Sequence, residues 1–186
     1  MSLPVEQEFA RQWLAKHSLR RKITIRQSDR ISSPLSFGVL RPVILLPKKT
    51  DWTDEEALRY VLEHEFVHIR RFDSVGKLLL IAAACVHWFN PLVWAMYVLA
   101  NRDLELSCDE TVLRRSGGDV RGTYARVLIR MEERRRGVQP LCNYFSKNAM
   151  EERIRAIMKT KKITAVSLML AAVLVAGTVT VFATSA

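Results

Sequence analysis

The sequence has little cysteine and shows no sign of repetition or low complexity. Its three cysteines, Cys85, Cys108 and Cys142, lie far apart and form no CxxC pair. This spacing excludes a disulfide scaffold and a cysteine-rich zinc finger, so we expect free thiols in a reducing compartment. No internal repeat and no linker of biased composition divides the chain. Its 186 residues therefore fit one domain of ordinary size with its own hydrophobic core.

Acidic residues are fewer than basic residues, and the formal net charge is +10. Such a charge fits either nucleic acid or the anionic inner face of a membrane. The basic residues are scattered over predicted helices, with no helix-turn-helix and no aromatic RNA-binding signature among them. We therefore expect no direct nucleic-acid binding and favour a membrane.

A long uncharged run supports association of the chain with a membrane. Residues 163–183 contain no charged side chain and are enough to cross a hydrocarbon core of about 30 Å as a helix. Lysine occupies three of the four positions 159–162, and lysines beside a span mark the cytoplasmic side. We predict a cytoplasmic domain in residues 1–158 and a transmembrane helix with a short tail in residues 159–186. A buried core helix is the alternative.

A second apolar run extends from Leu78 to Ala100 and is interrupted by His87, Asn90 and Pro91. Proline removes a helical hydrogen bond, so Pro91 is expected to break the run into two helices. Either a helix pair buried in the domain or a segment dipping into the bilayer would fit. We expect burial, with the HWFNP corner near the membrane surface.

The region before residue 50 predicts a small sheet. Alternation in KITIRQSD is typical of a half-buried strand, and Ser33–Pro47 reads as strands punctuated by glycine and proline. Prolines favour a sheet edge, because proline cannot donate to the hydrogen-bond ladder. We expect Phe37, Gly38 and Val39 to form an edge to which a substrate adds as a strand. A hairpin with no substrate role is the alternative.

Helices are predicted over most of the remaining chain. A short amphipathic helix is expected within residues 5–18, and basic amphipathic helix is expected over residues 119–158. Thr53 with Glu56 three positions later has the spacing of a capping box, which predicts a helix start there. The fold class is therefore α+β and mostly helical.

The helix after this cap contains the sequence HEFVH. His64 and His68 are four residues apart, so their side chains share one helix face and can hold one metal ion. Glu65 stands beside them, where it could take a proton from a metal-bound water. Zinc suits imidazole nitrogens and keeps an open position for water in catalytic sites. A catalytic zinc site needs a third protein ligand, however.

The stretch RDLELSCDE offers that ligand. Glu105 can complete a set of two histidines and one glutamate, and Asp109, one turn later, could accept the second ring N–H of a ligating histidine. Cys108 could also ligate zinc, although buried packing is the favoured interpretation. His87 is interpreted as a core or interfacial histidine, because a fourth protein ligand would close the site, and His17 as a surface residue.

At these residues the chain resembles a known family. HEFVHIRRFD, WFNPLVW and LELSCDE are similar to segments of the integral-membrane zinc metallopeptidases of the BlaR/MecR type, and so are SPLSFGVLRPVILLP and FSKNAMEERI. The resemblance implies a gluzincin fold with one Zn²⁺ per chain, bound by His64, His68 and Glu105, with Glu65 as general base. It also implies a bacterial cell membrane location, with the peptidase domain facing the cytoplasm.

In signalling members of this family, the peptidase inactivates a DNA-bound repressor when a beta-lactam is sensed outside the cell. The protein substrate expected here is accordingly a transcriptional repressor. Family members carry transmembrane helices before the peptidase domain, and residues 1–18 hold none. We therefore expect a fragment of a longer protein or a short relative, with no support for antibiotic sensing.

Several alternatives remain open at this stage. The enzyme could instead be a quality-control protease for membrane proteins, which would use the same zinc residues. A non-catalytic zinc-binding transducer is a third interpretation, although such a module would not need Glu65. The group that steadies the oxyanion is also open, with Arg102, Tyr124 and Tyr144 as candidates. The oligomeric state is unknown.

Overall fold

The computed structural model describes residues 3–4, 7–17, 19–117, 119–136 and 143–159. The elements in chain order are β1 (Leu3–Pro4), α1 (Glu8–Lys16), β2 (Thr24–Ser28), β3 (Leu35–Phe37), β4 (Val43–Pro47), α2 (Glu55–Arg71), α3 (Asp73–Val86), α4 (Pro91–Ser116), α5 (Arg121–Arg136) and α6 (Asn143–Met158). This architecture confirms a mostly helical chain with a small sheet near its N-terminus. The predicted transmembrane run at 163–183 lies outside the described residues. Within them, no helix combines the length and the apolar character needed to cross a bilayer.

The sheet has four strands in the order β1-β2-β4-β3. β2 and β4 are parallel, with Ile25 beside Ile44, and both of these side chains are buried against the helices. β3 pairs with β4 in the antiparallel sense and has no second neighbour among the described strands, so its outer side is an edge. The strand β4 lies in the interior of the sheet, although its proline predicted an edge. It tolerates Pro47 there because this residue is the last of the strand and ends the ladder.

The edge strand is shorter than the sequence suggested. It ends at Phe37, and Gly38 and Val39 belong to the turn that leads into β4. Gly38 has a φ of +89°, and a Cβ there would lie 2.7 Å from the carbonyl oxygen of Arg41. Only glycine adopts this conformation without strain, so the turn has to begin at this residue. Of the residues 37–39 predicted to form an edge, only Phe37 therefore lies in the edge strand, which is Leu35–Phe37.

Helix α2 lies at the centre of the domain. It packs against β3, β4, α3, α4 and α5, and every residue from Tyr60 to Ile69 is buried. A helix covered on all sides needs partners for its polar side chains, and α2 carries two histidines and two glutamates within this span. The positions of these four side chains are consequently fixed by the neighbouring elements.

The start of α2 differs from the predicted capping box. The N-cap is Asp54, whose side chain accepts a hydrogen bond from the backbone N–H of Ala57 at 3.0 Å. Thr53 instead donates its hydroxyl to Asp51 at 2.6 Å, outside the helix. Aspartate is as good an N-cap as threonine and adds a negative charge at the positive end of the helix dipole, which explains the one-residue shift.

The predicted burial of residues 78–100 is wrong. Pro91 does separate two helices, as expected, and occupies the first turn of α4. The hairpin made by α3 and the first half of α4 nevertheless projects from the core, and Ala84 is its only buried residue in this range. Trp88 is 70% exposed, Phe89 69% and Leu92 75%. Hydropathy marks a segment that avoids water, but it cannot tell a protein core from another apolar environment.

The capping arrangement predicts a specific difference between two neighbouring residues. Asp54→Ala should lower the free energy of unfolding by about 1 kcal/mol, because it removes the cap of α2. Thr53→Ala should change it by less than about half that amount, because it removes only an exposed side-chain bond. Urea unfolding followed by circular dichroism measures both. Asp54→Asn is the control that retains a capping oxygen, and an equal loss in Thr53→Ala would contradict this assignment.

Candidate metal centre

Three ligand atoms converge at the middle of α2 and the adjoining part of α4. The Nε2 atoms of His64 and His68 are 3.1 Å apart. Oε2 of Glu105, which α4 places opposite them, lies 3.5 Å from the first nitrogen and 3.7 Å from the second. Tetrahedral zinc with bonds of about 2.0–2.1 Å separates its ligand atoms by about 3.4 Å. The triangle of donor atoms therefore fits a single ion of this size.

The outer nitrogen of His64 is held by Tyr124 of α5. Nδ1 lies 2.9 Å from the phenol oxygen and 3.3 Å from Oδ1 of Asp109. The phenol has one proton, which it donates to Asp109 at 2.7 Å, so its oxygen accepts from the Nδ1–H of His64. This arrangement fixes the tautomer in which Nε2 carries the lone pair for a metal ion.

The outer nitrogen of His68 is held by Asp73, at 2.7 Å between Nδ1 and Oδ2. Asp73 reaches it because Phe72 adopts a left-handed conformation, with φ of 60°, between α2 and α3. The guanidinium of Arg21 lies over the Phe72 ring at 3.9 Å and donates to the carbonyl of Ile69 at 2.8 Å. The turn is thus stabilised from the N-terminal part of the chain.

Helix α6 adds a cation to this arrangement. Arg153 donates to both carboxylate oxygens of Asp109, through Nε and Nη2, at 2.7 Å each. Its Nη1 lies 3.6 Å from Oε2 of Glu105. Lys77 of α3 donates to the other oxygen of Glu105 at 3.1 Å. The paired geometry makes Arg153 a clamp that joins α6 to α4 directly beside the candidate ligands.

These contacts shift the ionisation of the centre strongly. Burial disfavours a charged His64, but polar neighbours, led by Tyr124, outweigh it and hold the imidazole pKa well above its usual range. Burial also opposes the charge on His68, yet the hydrogen bond to Asp73 helps to raise its pKa to about 11. Burial raises the pKa of Glu105, and bonding to the two histidines depresses it far below normal. The centre is therefore arranged for positive charge, and a metal ion would displace protons from it.

Cys108 offers a competing set of donors. Its Sγ lies within 4.8 Å of ligand atoms of His64 and His68, so these three residues also form a group that could hold a metal ion. The sulfur, however, is 3.5 Å from Nδ1 of His64, the nitrogen already bonded to Tyr124, and its thiol donates to the His64 carbonyl at 3.4 Å. We favour the set completed by Glu105, because its oxygen faces both Nε2 atoms and leaves the Nδ1 contacts intact.

The candidate ligands open onto a cleft of about 530 Å³. Glu65 lines this cleft together with both histidines and Glu105, and it is 6% exposed. Residues 33–36, which include the start of the edge strand β3, also line the cleft. Glu65 and the start of the edge strand therefore line the same space as the three residues that carry the donor atoms.

The structure brings together His64, Glu65, His68, Glu105 and Asp109, all of which the sequence singled out. His87 is not part of this group, because it lies at the exposed corner between α3 and α4. His17 is no free surface residue, because its ring stacks on Trp13 at 4.1 Å and bonds to Glu63 at 3.0 Å.

The candidates for the oxyanion also separate. Arg102 lines the cleft and is paired with Glu152. Tyr124 is fully buried on the Nδ1 side of His64 and does not line the cleft, so it cannot reach a substrate carbonyl there. The side chain of Tyr144 lies outside the described part of the chain. Arg153, which no sequence pattern indicated, lines the cleft as well.

A family model described as BlaR1 peptidase M56 matches residues 5–157. The chain belongs to this family. The regulatory protein BlaR1 of Bacillus licheniformis is 36% identical over 109 residues, which are 59% of this chain and 18% of that protein. The methicillin resistance mecR1 protein of Staphylococcus aureus is 29% identical over 96 residues, or 51% of this chain and 16% of that protein. The chain thus matches less than a fifth of the length of these relatives.

Membership confirms the resemblance to the BlaR/MecR type and implies a metallopeptidase, in which a metal ion would be bound. The residues fit that ion, since the donor atoms converge and both outer ring nitrogens are already bonded. Sequence reasoning missed Asp73, Lys77 and Arg153 as neighbours of the centre. Asp73 gave no local signal, because its contact with His68 depends on the left-handed turn at Phe72.

The hydrogen bonds to the outer ring nitrogens of the two histidines predict that removing either bond lowers the metal affinity. Tyr124→Phe and Asp73→Asn should each weaken zinc binding by about 10–100-fold, because each loosens or reverses the bond that fixes one ring. Competition with a chromophoric chelator measures the affinity. Tyr60→Phe is the matched control, since Tyr60 is buried on the same helix as the histidines and its hydroxyl is hydrogen-bonded to neither of them. An unchanged affinity in both test variants would contradict the assignment of Nε2 as the ligand atom.

Proposed function

We propose that this chain is a zinc-dependent endopeptidase domain of the gluzincin type, with His64, His68 and Glu105 as metal ligands and Glu65 as general base. The single observation that carries the proposal is the meeting of three donor atoms with Glu65 in one cleft. Two imidazoles and one carboxylate form the donor set of catalytic zinc with a fourth position left for water. Membership of a peptidase family supports the same conclusion.

The chemistry divides between the ion and the chain. A zinc ion held by His64, His68 and Glu105 would lower the pKa of a bound water to about 7 and would polarise the substrate carbonyl. Glu65 accepts a proton from the attacking water at its carboxylate and passes it to the amine that leaves. Asp109 and Asp73 keep the two imidazoles oriented, and Arg153 holds Asp109 in place while its charge faces the cleft.

The substrate is proposed to bind as an added strand along β3. The outer edge of Leu35–Phe37 is free of a neighbouring strand among the described residues, and its start borders the cleft. Backbone hydrogen bonds to such an edge bind an extended peptide with little regard for its sequence. Leu128, Met131 and Met150 form an apolar part of the cleft lining, which favours a substrate with an apolar side chain beside the scissile bond.

The biological role proposed is signal transduction by cleavage of a transcriptional repressor. This rests on the relatives, one named a regulatory protein and the other a methicillin resistance protein. We further propose that residues 1–158 form the peptidase domain on the cytoplasmic side of a bacterial membrane and that residues 159–186 anchor it. The uncharged run at 163–183, preceded by lysines, supports this topology.

The catalytic proposal predicts separate effects on chemistry and on metal content. Glu65→Gln should reduce the rate of peptide hydrolysis by about 10²–10⁴-fold, because it removes the proton acceptor. Its zinc content should equal that of the parent, because Glu65 is not one of the three converging donors. The assay is cleavage of a loosely folded test protein by the detergent-purified full chain, with zinc measured by mass spectrometry on the same samples.

Glu56→Gln is the matched control, since it makes the same chemical change on an exposed residue in the first turn of the same helix. It should retain both zinc and activity. Equal hydrolysis by the parent and Glu65→Gln would refute the role of Glu65. A parent that binds zinc and cleaves neither the test protein nor a repressor would favour the non-catalytic transducer instead.

A further inference from the structure

The hairpin formed by α3 and the first half of α4 exposes an extensive apolar surface. Its large exposed side chains are Leu78, Leu79, Ile81, Val86, Trp88, Phe89, Leu92, Trp94, Met96, Val98 and Leu99. No residue between Lys77 and Arg102 carries a formal charge. Exposed apolar patches of this extent mark a surface that meets another apolar partner.

The distribution of this surface indicates what kind of partner it meets. At 100° per residue, the exposed positions from Leu92 to Leu99 cover about 200° of the α4 circumference. Those from Leu78 to Val86 cover about 160° of α3 by the same measure. Each helix is covered only on the side that meets the other. A groove in a protein would cover one face, whereas acyl chains surround a helical hairpin on all outward sides.

Several polar groups at the tip of the hairpin are paired within the hairpin itself. The backbone N–H of Asn90 donates to the carbonyl of His87 at 2.9 Å, and the side chain of Asn90 accepts from the N–H of Leu92 at 3.0 Å. The indole N–H of Trp94 donates to the carbonyl of Trp88 at 2.8 Å, although both tryptophans are largely exposed. A turn that enters hydrocarbon needs this kind of pairing, because no water is available there.

The length of the hairpin sets the depth that it can reach. Leu78 to Val86 is a helical rise of about 13 Å, close to half of a hydrocarbon core of about 30 Å. Neither helix is long and apolar enough to span a bilayer, in agreement with the finding for the described residues as a whole. The geometry suits entry into one leaflet and return from the same side.

We propose that the α3–α4 hairpin inserts tip-first into one leaflet of an anionic phospholipid bilayer. Lys77 and Arg102 flank the apolar stretch at the base of the hairpin, in a chain of net charge +10. Basic residues beside an apolar segment match anionic headgroups, so charge and hydropathy favour the same partner.

The position of the hairpin has a consequence for the metal centre. Lys77 and Arg102 both line the cleft, and Lys77 lies 3.1 Å from Glu105. The cleft therefore begins where the apolar surface ends, which places it at the level of the headgroups. Substrate segments that lie against the membrane would reach it first. The insertion itself does not rest on the proposed peptidase function and is tested without an activity assay.

The native Cys85 provides a depth marker, because it is exposed on α3 within the hairpin. An environment-sensitive fluorophore is attached to it in the full chain carrying Cys142→Ser; Cys108 is buried and protected from labelling. The protein is reconstituted into vesicles of phosphatidylcholine and phosphatidylglycerol. We expect nitroxides on the acyl chains to quench most of the fluorescence and aqueous iodide to quench little. The same fluorophore on Lys49→Cys, with Cys85→Ser and Cys142→Ser in the same chain, should show the reverse, since Lys49 is in an exposed polar turn.

A charge insertion gives the second arm of the test. Val86→Glu combined with Leu92→Glu should abolish acyl-chain quenching at Cys85, because both replace exposed apolar side chains near the tip. Leu40→Glu combined with Ile129→Glu is the matched control, exposed and apolar but outside the hairpin, and should leave quenching unchanged. Circular dichroism confirms that both variants fold. Quenching of the Cys85 fluorophore by iodide would overturn the proposal. Protection from both quenchers, with cross-linking between chains, would also overturn it and assign the surface to a second copy.

Discussion

Two imidazole nitrogens held 3.1 Å apart in the interior of the domain are the constraint on which the rest of the structure depends. Two lone pairs at that distance repel each other unless a proton or a metal ion lies between them. The surroundings provide for this cation: Glu105 approaches both nitrogens, and the outer nitrogens donate to Tyr124 and Asp73. A buried polar group left without a partner is costly, so each of these contacts also stabilises the fold.

The same constraint explains why α3, α4, α5 and α6 meet α2 or one another beside the centre. α5 brings Tyr124, the turn into α3 brings Asp73, α4 brings Glu105 and Asp109, and α6 brings Arg153. Each of these elements delivers at least one polar side chain to the centre, and their apolar faces form the core around it. The strand edge of β3 and the base of the hairpin close the cleft from the outside. The candidate ligands and the residues that line the cleft are thereby joined in one compact group of contacts.

The sequence predicted the parts of this centre that depend on helical period. His64 and His68, and likewise Glu105 and Asp109, follow a spacing of four, which a helix converts into a shared face. Asp73 could not be foreseen, because its contact requires a left-handed backbone at Phe72, an uncommon conformation for a bulky residue. Arg153 escaped notice for a different reason, since it reaches Asp109 across 44 positions and carries no local pattern.

The apolar run at 78–100 shows what hydropathy alone cannot predict. Its division at Pro91 was predicted from the chemistry of proline, while its surroundings were not. Burial in a core and burial in lipid demand the same side chains, so only the packing of the hairpin away from the core separates the two. The N-cap of α2 and the strand edge at Leu35–Phe37 were missed by only one to a few residues, which is the usual limit of pattern-based boundaries.

The measurement that tests the metal centre most directly is X-ray absorption at the zinc edge on the zinc-loaded chain. Ligation by His64, His68 and Glu105 predicts only nitrogen and oxygen neighbours, at about 2.0–2.2 Å. A sulfur neighbour at about 2.3 Å would contradict this account and assign the third position to Cys108. A spectrum with two imidazoles and no sulfur would establish the donor set on which the proposed hydrolysis depends.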